Sequence, residues 1–260
     1  KMDQNIKVIL LDIEGTTTPI TFVTQQLFPY AATNVEKFLH DTWDCSETKQ
    51  VIQQLRRQAL VDGEEFGGKV PIIKSVNGIV SKTDVLKSAV ENVLWQMSLN
   101  RKTTALKELQ GMVWKKGYES GGIIGIVYDD VKPALQRLRM LKKRIYIYSS
   151  GSVNAQKLLF TYTKFGDLLE YFDGHFDSNF GGKNDAASYR KIAEAINCKP
   201  EEILFLTDIE YEADAAISAG LHVHVVLRPG NKLIAEEKLK NYKTIVNLSK
   251  LFINSEHGTI

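Results

Sequence analysis

The sequence predicts an α/β fold: a doubly wound parallel sheet with a helical domain inserted after its first strand. Three observations predict it. Ile6–Leu11 is an apolar, β-branched run of the kind that a fully buried parallel strand needs. From Arg144 onward, strand-like and helix-like segments alternate, which calls for a parallel sheet with helices on both faces. Between these regions, residues 22–122 carry helical periodicity. The expected layout is a core made of residues 1–21 and 123–260, with residues 22–122 as a helical cap.

The elements follow in order. Strand Ile6–Leu11 ends at Asp12, followed by Gly15 and three threonines. Phe38, Leu39, Ile52 and Leu55 mark early helices, and Asp62–Lys69 reads as a Gly- and Glu-rich loop. Val85, Leu86, Ala89, Val90, Val93, Leu94 and Met97 form an amphipathic stripe, with Thr83 as the expected N-cap and Asp84 in the first turn. Leu106, Leu109, Met112 and Val113 continue the pattern. Val131–Leu141 is a helix with Pro133 in its first turn, where proline is tolerated. Arg144–Tyr148 is a strand and Val153–Tyr162 a helix. Tyr189–Ile196 is a helix and Ile203–Thr207 a strand. Glu212–Ala219 is a helix closed by Gly220, Val223–Leu227 a strand closed by Pro229-Gly230, and Thr244–Val246 a short final strand.

Composition narrows the partners. The 260 residues are 43% apolar and 25% charged, ordinary for a globular protein. A net charge of +2 and a pI near 8.4 give no ground for a nucleic-acid or membrane partner. Cys45 and Cys198 are far apart and show no metal-ligand spacing, which points to a reducing compartment. Lys1–Lys7 has no secretory apolar region, and no apolar run approaches the roughly 20 residues of a membrane span. The expectation is a cytoplasmic protein, with access to the nucleus left open.

Three strands end in polar residues: Asp12, Ser149-Ser150-Gly151, and Asp208. Ligands of open parallel sheets bind beyond the carboxyl ends of the strands, so these residues can share one edge. A carboxylate such as Asp12 can attack a phosphoryl group, and Glu14 two residues on can protonate the leaving oxygen and later activate water. A bound Mg²⁺ would offset their repulsion of phosphate. On the fragment Asp-Ile-Glu-Gly alone, a strand-to-loop turn explains the acids equally well. Ser149 to Ser152 offer hydroxyls and N–H groups to phosphate, although capping by Ser150 or Ser152 explains them too. Gly181-Gly182-Lys183 precedes a helix, and Lys183 can hold Asp12 and phosphate together; alone, it reads as a solvated loop lysine. Asp208 is a hard Mg²⁺ ligand with Glu212 placed to orient it or to hold a metal-bound water, or else the pair is an acidic helix start. His222 and His224 read as strand-face residues, and Trp43, Trp95 and Trp114 as cap packing. His175, in a short strand region, has no assigned role.

Taken together and in order, these elements resemble the haloacid dehalogenase superfamily. The resemblance covers nearly the whole chain, and a helical insertion after the first motif is one of that superfamily's cap types. Leu11 to Pro19, with Glu14 where most superfamily phosphatases have Asp, is similar to the signature of the enolase-phosphatases of methionine salvage. So are Trp95-Gln96-Met97-Ser98-Leu99, Tyr146 to Ser152, Ser188 to Ala193, Ile203 to Asp208, and Val226 to Asn231. The resemblance implies two consecutive activities: enolisation of 2,3-diketo-5-methylthiopentyl-1-phosphate, then its dephosphorylation to the acireductone. It implies one Mg²⁺ on Asp12, Asp208 and the Glu14 backbone carbonyl, with substrate contacts from Ser149, Ser150 and Lys183. It also implies a monomer in the cytoplasm, with nuclear occurrence in animal members. The enolisation base stays open between Glu14 and a cap residue. The loop Asp62–Lys69 and the segment Gly121–Gly125 are the expected mobile elements. Two rivals remain. One is another reaction on the same core, where Glu14 argues against carbon-cleaving variants; the other is a silent scaffold, which retention of the site residues counts against.

Overall fold

The computed structural model describes residues 2–77 and 79–252, so Lys1 of the polar leading segment lies outside the described residues. The chain divides into two compact units. One runs to Thr24 and resumes at Ile124; the other is Gln25–Ile123.

The first unit opens with β1 (Val8–Leu11) and a short turn of helix, α1 (Ile20–Phe22). The second unit holds α2 (Phe28–Asp41), α3 (Ser46–Phe66), α4 (Lys82–Ser98) and α5 (Thr104–Glu119). The first unit then continues through α6 (Val131–Met140), β2 (Arg144–Tyr148), α7 (Val153–Thr161), β3 (Gly174–Phe176) and α8 (Ala186–Ala195). It closes with β4 (Ile203–Thr207), α9 (Glu210–Ser218), β5 (His222–Val226), α10 (Glu236–Leu239) and β6 (Lys243–Ile245).

The six strands are parallel in the order β3-β2-β1-β4-β5-β6. The order runs outward from β1 in one direction and from β4 in the other, so the topological switch point lies between β1 and β4. Val8, Leu10, Phe205 and Val225 pack with Ile192 and Ala193 of α8 and Ala213 and Ala216 of α9. The alternate residues Ile9, Leu11, Ile145, Ile147, Leu204 and Leu206 are just as buried, so the sheet is covered on both faces, as its apolar strands require.

In the helical unit, Val35 and Leu39 of α2, Ile52 and Leu55 of α3, Val93 of α4 and Leu109 of α5 share one apolar cluster. Trp43 and Trp114 are partly buried against it, and Trp95 packs edge-on against Phe66.

Several boundaries differ from the sequence expectation. Asp62 is not in a loop: α3 runs on to Phe66, and Asp62 is fully buried where it takes Arg101 Nη2 at 2.6 Å and Gln58 Nε2 at 2.7 Å. A distant arginine thus draws into a helix a segment whose glycines read locally as breakers. Thr83 is not the N-cap of α4; Ser81 is, in a capping box with Asp84. The helices expected to begin at Tyr189 and Glu212 start earlier, at Ala186 and Glu210, the first with Asp185 accepting the Ala187 N–H as its cap. Gly125 is held by its neighbours: its N–H donates to Tyr162 O at 2.7 Å, and a Cβ there would lie 2.3 Å from Leu159 O. Close backbone approach accounts for this glycine. Both cysteines are free.

Candidate active site

Asp12 leaves β1 beside the switch point. By register it stands level with Thr207, the last residue of β4, and with Tyr148, the last of β2. Ser149 and Asp208 follow one residue further along their strands. A chain that alternates buried strands with helices therefore delivers three polar strand ends to one edge.

Asp12 is 4% exposed. Its Oδ1 accepts the Ile13 N–H at 2.7 Å and lies 2.8 Å from Lys183 Nζ. Its Oδ2 faces the Thr207 hydroxyl at 3.3 Å. That hydroxyl has one proton and a much closer acceptor in Glu212 Oε2 at 2.7 Å, which leaves Oδ2 as the less engaged Asp12 oxygen.

Lys183 also lies 2.6 Å from Glu212 Oε2. Burial pulls its ammonium pKa down, but Asp12 and Glu212 outweigh that and leave it above the ordinary lysine value, so the charge is retained. The loop that carries Lys183 is held at two carbonyls: Tyr148 Oη donates to Gly181 O at 3.0 Å and Tyr189 Oη to Lys183 O at 2.7 Å. Gly181 has φ +136°, and a Cβ there would sit 2.1 Å from Ser188 Oγ, so only glycine fits. Burial first, then the Asp12 charge, raises the Glu212 pKa. Glu212 was expected to orient Asp208 or hold a metal-bound water; its observed partners are Lys183 and Thr207.

Asp208 is 4% exposed, and its Oδ2 is buried without a hydrogen-bond partner. Burial, then the Asp12 charge, pushes its pKa up to about 7. Gly15, at φ +72°, lies against it, and a Cβ at Gly15 would fall 2.2 Å from Asp208 Oδ2. An orphaned carboxylate oxygen among acids is what a hard divalent cation would satisfy, so the donors fit Mg²⁺. Among the described residues no three His, Cys, Asp or Glu side chains are grouped as a metal cage, so two carboxylates would need a main-chain oxygen beside them. Glu14 is exposed, pairs in a short bridge with Thr18, and lies close enough for its charge to raise Asp208.

Ser149 is buried and Ser150 exposed. The Ser149 N–H donates to Phe176 O at 3.2 Å, and the Gly151 N–H turns back to Ser149 Oγ at 3.4 Å. Those two N–H groups, expected to face phosphate, are thus engaged locally. Ser152, not Ser150, caps α7. His222 and His224 lie on β5, as expected from their alternation.

Sequence reasoning gave no role to Thr207, which links Asp12 to Glu212. Nor did it give one to Arg228, Asp130 and Asn231. The nearest signal was the stretch Val226 to Asn231, noted only as a resemblance.

A buried aspartate, an ion-paired lysine and a second acidic strand end at the switch point of a doubly wound sheet define a hydrolase of the haloacid dehalogenase type. The haloacid dehalogenase-like hydrolase family matches over residues 6–220. The chain is 50% identical over 250 residues to the enolase-phosphatase E1 of Danio rerio, covering 95% of each. It is 49% identical over 251 residues to that of Xenopus tropicalis, covering 96% of each. Among solved structures, the UTR4 protein of Saccharomyces cerevisiae superposes with a TM-score of 0.74 at 34% identity, covering 93% of this chain and 98% of that one. The chain belongs to the haloacid dehalogenase-like hydrolases, within their enolase-phosphatase E1 branch. No helix among the described residues is long and apolar enough to cross a membrane.

Proposed function

We propose that the chain enolises 2,3-diketo-5-methylthiopentyl-1-phosphate and then dephosphorylates it to the acireductone 1,2-dihydroxy-3-keto-5-methylthiopentene, the step that methionine salvage requires. The observation that carries this reading is Asp12, whose Oδ1 is tied by Ile13 and Lys183 while Oδ2 is left to react.

Asp12 and Asp208, with the Glu14 carbonyl, would hold one Mg²⁺, which when bound supplies positive charge to the phosphoryl oxygens and to a developing enolate. In enolisation a base removes a proton from the phosphate-bearing carbon C1, the C–H pair becomes the C1–C2 double bond, the C2 carbonyl pair moves to its oxygen, and that oxygen takes a proton from water to give the enol. Glu14 or a residue of the helical unit takes that proton. In the second step Asp12 Oδ2 attacks phosphorus and the bond from phosphorus to the substrate oxygen breaks. Glu14 gives that oxygen a proton and later takes one from the attacking water, which breaks the phosphorus–Asp12 bond and frees phosphate. Lys183 and the hydroxyls of Ser149 and Ser150 hold phosphoryl oxygens throughout. The helical unit serves as the cap, a role supported by its insertion just after the β1 loop. The protein works as a monomer in the cytoplasm, as the resemblance implies, with access to the nucleus left open.

A two-channel assay tests this, with enol absorbance and free phosphate followed on the diketone phosphate with Mg²⁺. Both signals should appear, depend on Mg²⁺, and lose the phosphate channel in Asp12→Asn. Phosphate from simple esters alone would remove the salvage substrate, and no turnover at all would bring the scaffold reading forward.

A further inference from the structure

We propose that Arg228, with Asp130 and Asn231, is a positioning group for the loop that carries Asp12; this rests on the hydrolytic reading above. Arg228 follows β5, two strands away from β1, and is 8% exposed. Its Nε and Nη2 donate to Thr16 O at 3.2 and 3.0 Å. Its Nη1 and Nη2 grip Asp130 Oδ1 and Oδ2 at 2.8 and 2.9 Å. Asp130 is itself anchored, because its Oδ2 also accepts the Leu248 N–H at 2.6 Å. The guanidinium lies 4.1 Å from the Tyr128 ring centroid, and the Tyr128 N–H donates to Thr17 O at 3.0 Å. Asn231 Nδ2 donates to Gly15 O at 2.9 Å and to Val226 O at 3.2 Å.

Three consecutive carbonyls, of Gly15, Thr16 and Thr17, are therefore held from outside the loop by Asn231, Arg228 and Tyr128. From inside, the N–H groups of Thr16, Thr17 and Thr18 converge on Ile13 O at 3.2, 2.9 and 2.9 Å. The loop's shape is therefore fixed from both sides. Asp12 takes its orientation from the first peptide of this loop, through the Ile13 N–H, and Glu14 sits between the inner and outer anchors. A planar guanidinium can serve Asp130 bidentately and Thr16 O together, whereas a single ammonium cannot. Loosening the clamp moves Asp12 Oδ2 and Glu14 relative to Lys183 without touching any of them.

Arg228→Lys and Asn231→Ala test this on the full chain. Kinetics are read per folded molecule, on both the diketone phosphate and an aryl phosphate ester, with thermal unfolding alongside. The expected result is a kcat lower by about 10- to 100-fold in Arg228→Lys and by less in Asn231→Ala, with KM within about threefold of wild type. Folded variants that keep the wild-type kcat and lose only melting temperature would overturn the proposal, because a purely structural clamp behaves that way. Should Arg228→Lys fail to fold, the uncharged Asn231→Ala decides by the same criterion. A wild-type protein active on the ester alone removes the salvage substrate while the clamp is judged on the ester. A wild-type protein inactive on both overturns the hydrolytic reading and the clamp with it.

Discussion

Lys183 holds its ammonium 2.8 Å from Asp12 Oδ1, and with Glu212 and Asp208 also at the site, three buried carboxylates gather around one cation. The arrangement is poor for stability and good for chemistry, since it keeps Asp12 aimed while leaving negative charge for a metal to offset.

Lys183→Met should therefore lower kcat by at least about 100-fold, the scale seen when one preorganised charge donor is removed. The metal-free variant should also melt below wild type, because Asp12 and Glu212 lose their partner. Steady-state kinetics and calorimetry read the two effects, and a variant with wild-type kcat would remove Lys183 from catalysis.

Asp208→Asn should abolish turnover and yet raise the melting temperature of the metal-free protein above neutral pH. The buried, unpartnered Oδ2 is costly when charged, and its pKa near 7 reflects that cost. Mg²⁺ at about 100 times its Kd should stabilise wild type by about 2.7 kcal/mol. The variant should lose that response. An equal Mg²⁺ response in both proteins would place the ion elsewhere.

Gly15→Ala should disable the site from the backbone outward. Its φ of +72° costs a side-chain-bearing residue about 1 kcal/mol, and the new Cβ would press on Asp208 Oδ2 at 2.2 Å. Chemical denaturation should show at least that loss, with activity falling further than stability accounts for. An active, equally stable variant would contradict the close packing of Gly15 on Asp208.

Asp62→Ala tests the helical unit. Asp62 is fully buried and paired with Arg101, so its removal takes the closest partner from a mostly buried cation and leaves it only Glu65 at 3.6 Å, at a cost of about 3 kcal/mol. Urea unfolding gives the number, and a change below about 1 kcal/mol would mean that Arg101 regains water freely.

Acid sensitivity should include a histidine contribution. Burial holds the His175 pKa at about 4, below its ordinary 6.5, so the unfolded chain takes up the proton first. The stability this provides is complete above pH 6.5 and is lost as pH falls from there toward 4. The melting temperature of His175→Leu should fall less than wild type's across that window. Parallel curves would show that His175 does not titrate differently on folding.

Much of this was legible in the sequence. The buried strands showed as apolar runs, and α4 showed as a stripe of Val85, Ala89 and Val93. Asp12, Ser149 and Asp208 were found at strand ends because strand ends can be located from local pattern. The strand order then explains why they share an edge. The extent of α3 was not legible, because the stability of its last turns comes from Arg101, far away in the chain. Nor were the pairing of Glu212 with Lys183, the fit of Gly15 against Asp208, or the grip of Arg228 on Thr16. Periodicity and punctuation record, residue by residue, which side of an element is buried, so the elements and the residues at their ends can be read from the chain alone. Which buried charge meets which carbonyl depends on strand register and loop path, set by contacts distant in sequence, and so emerges only in the fold.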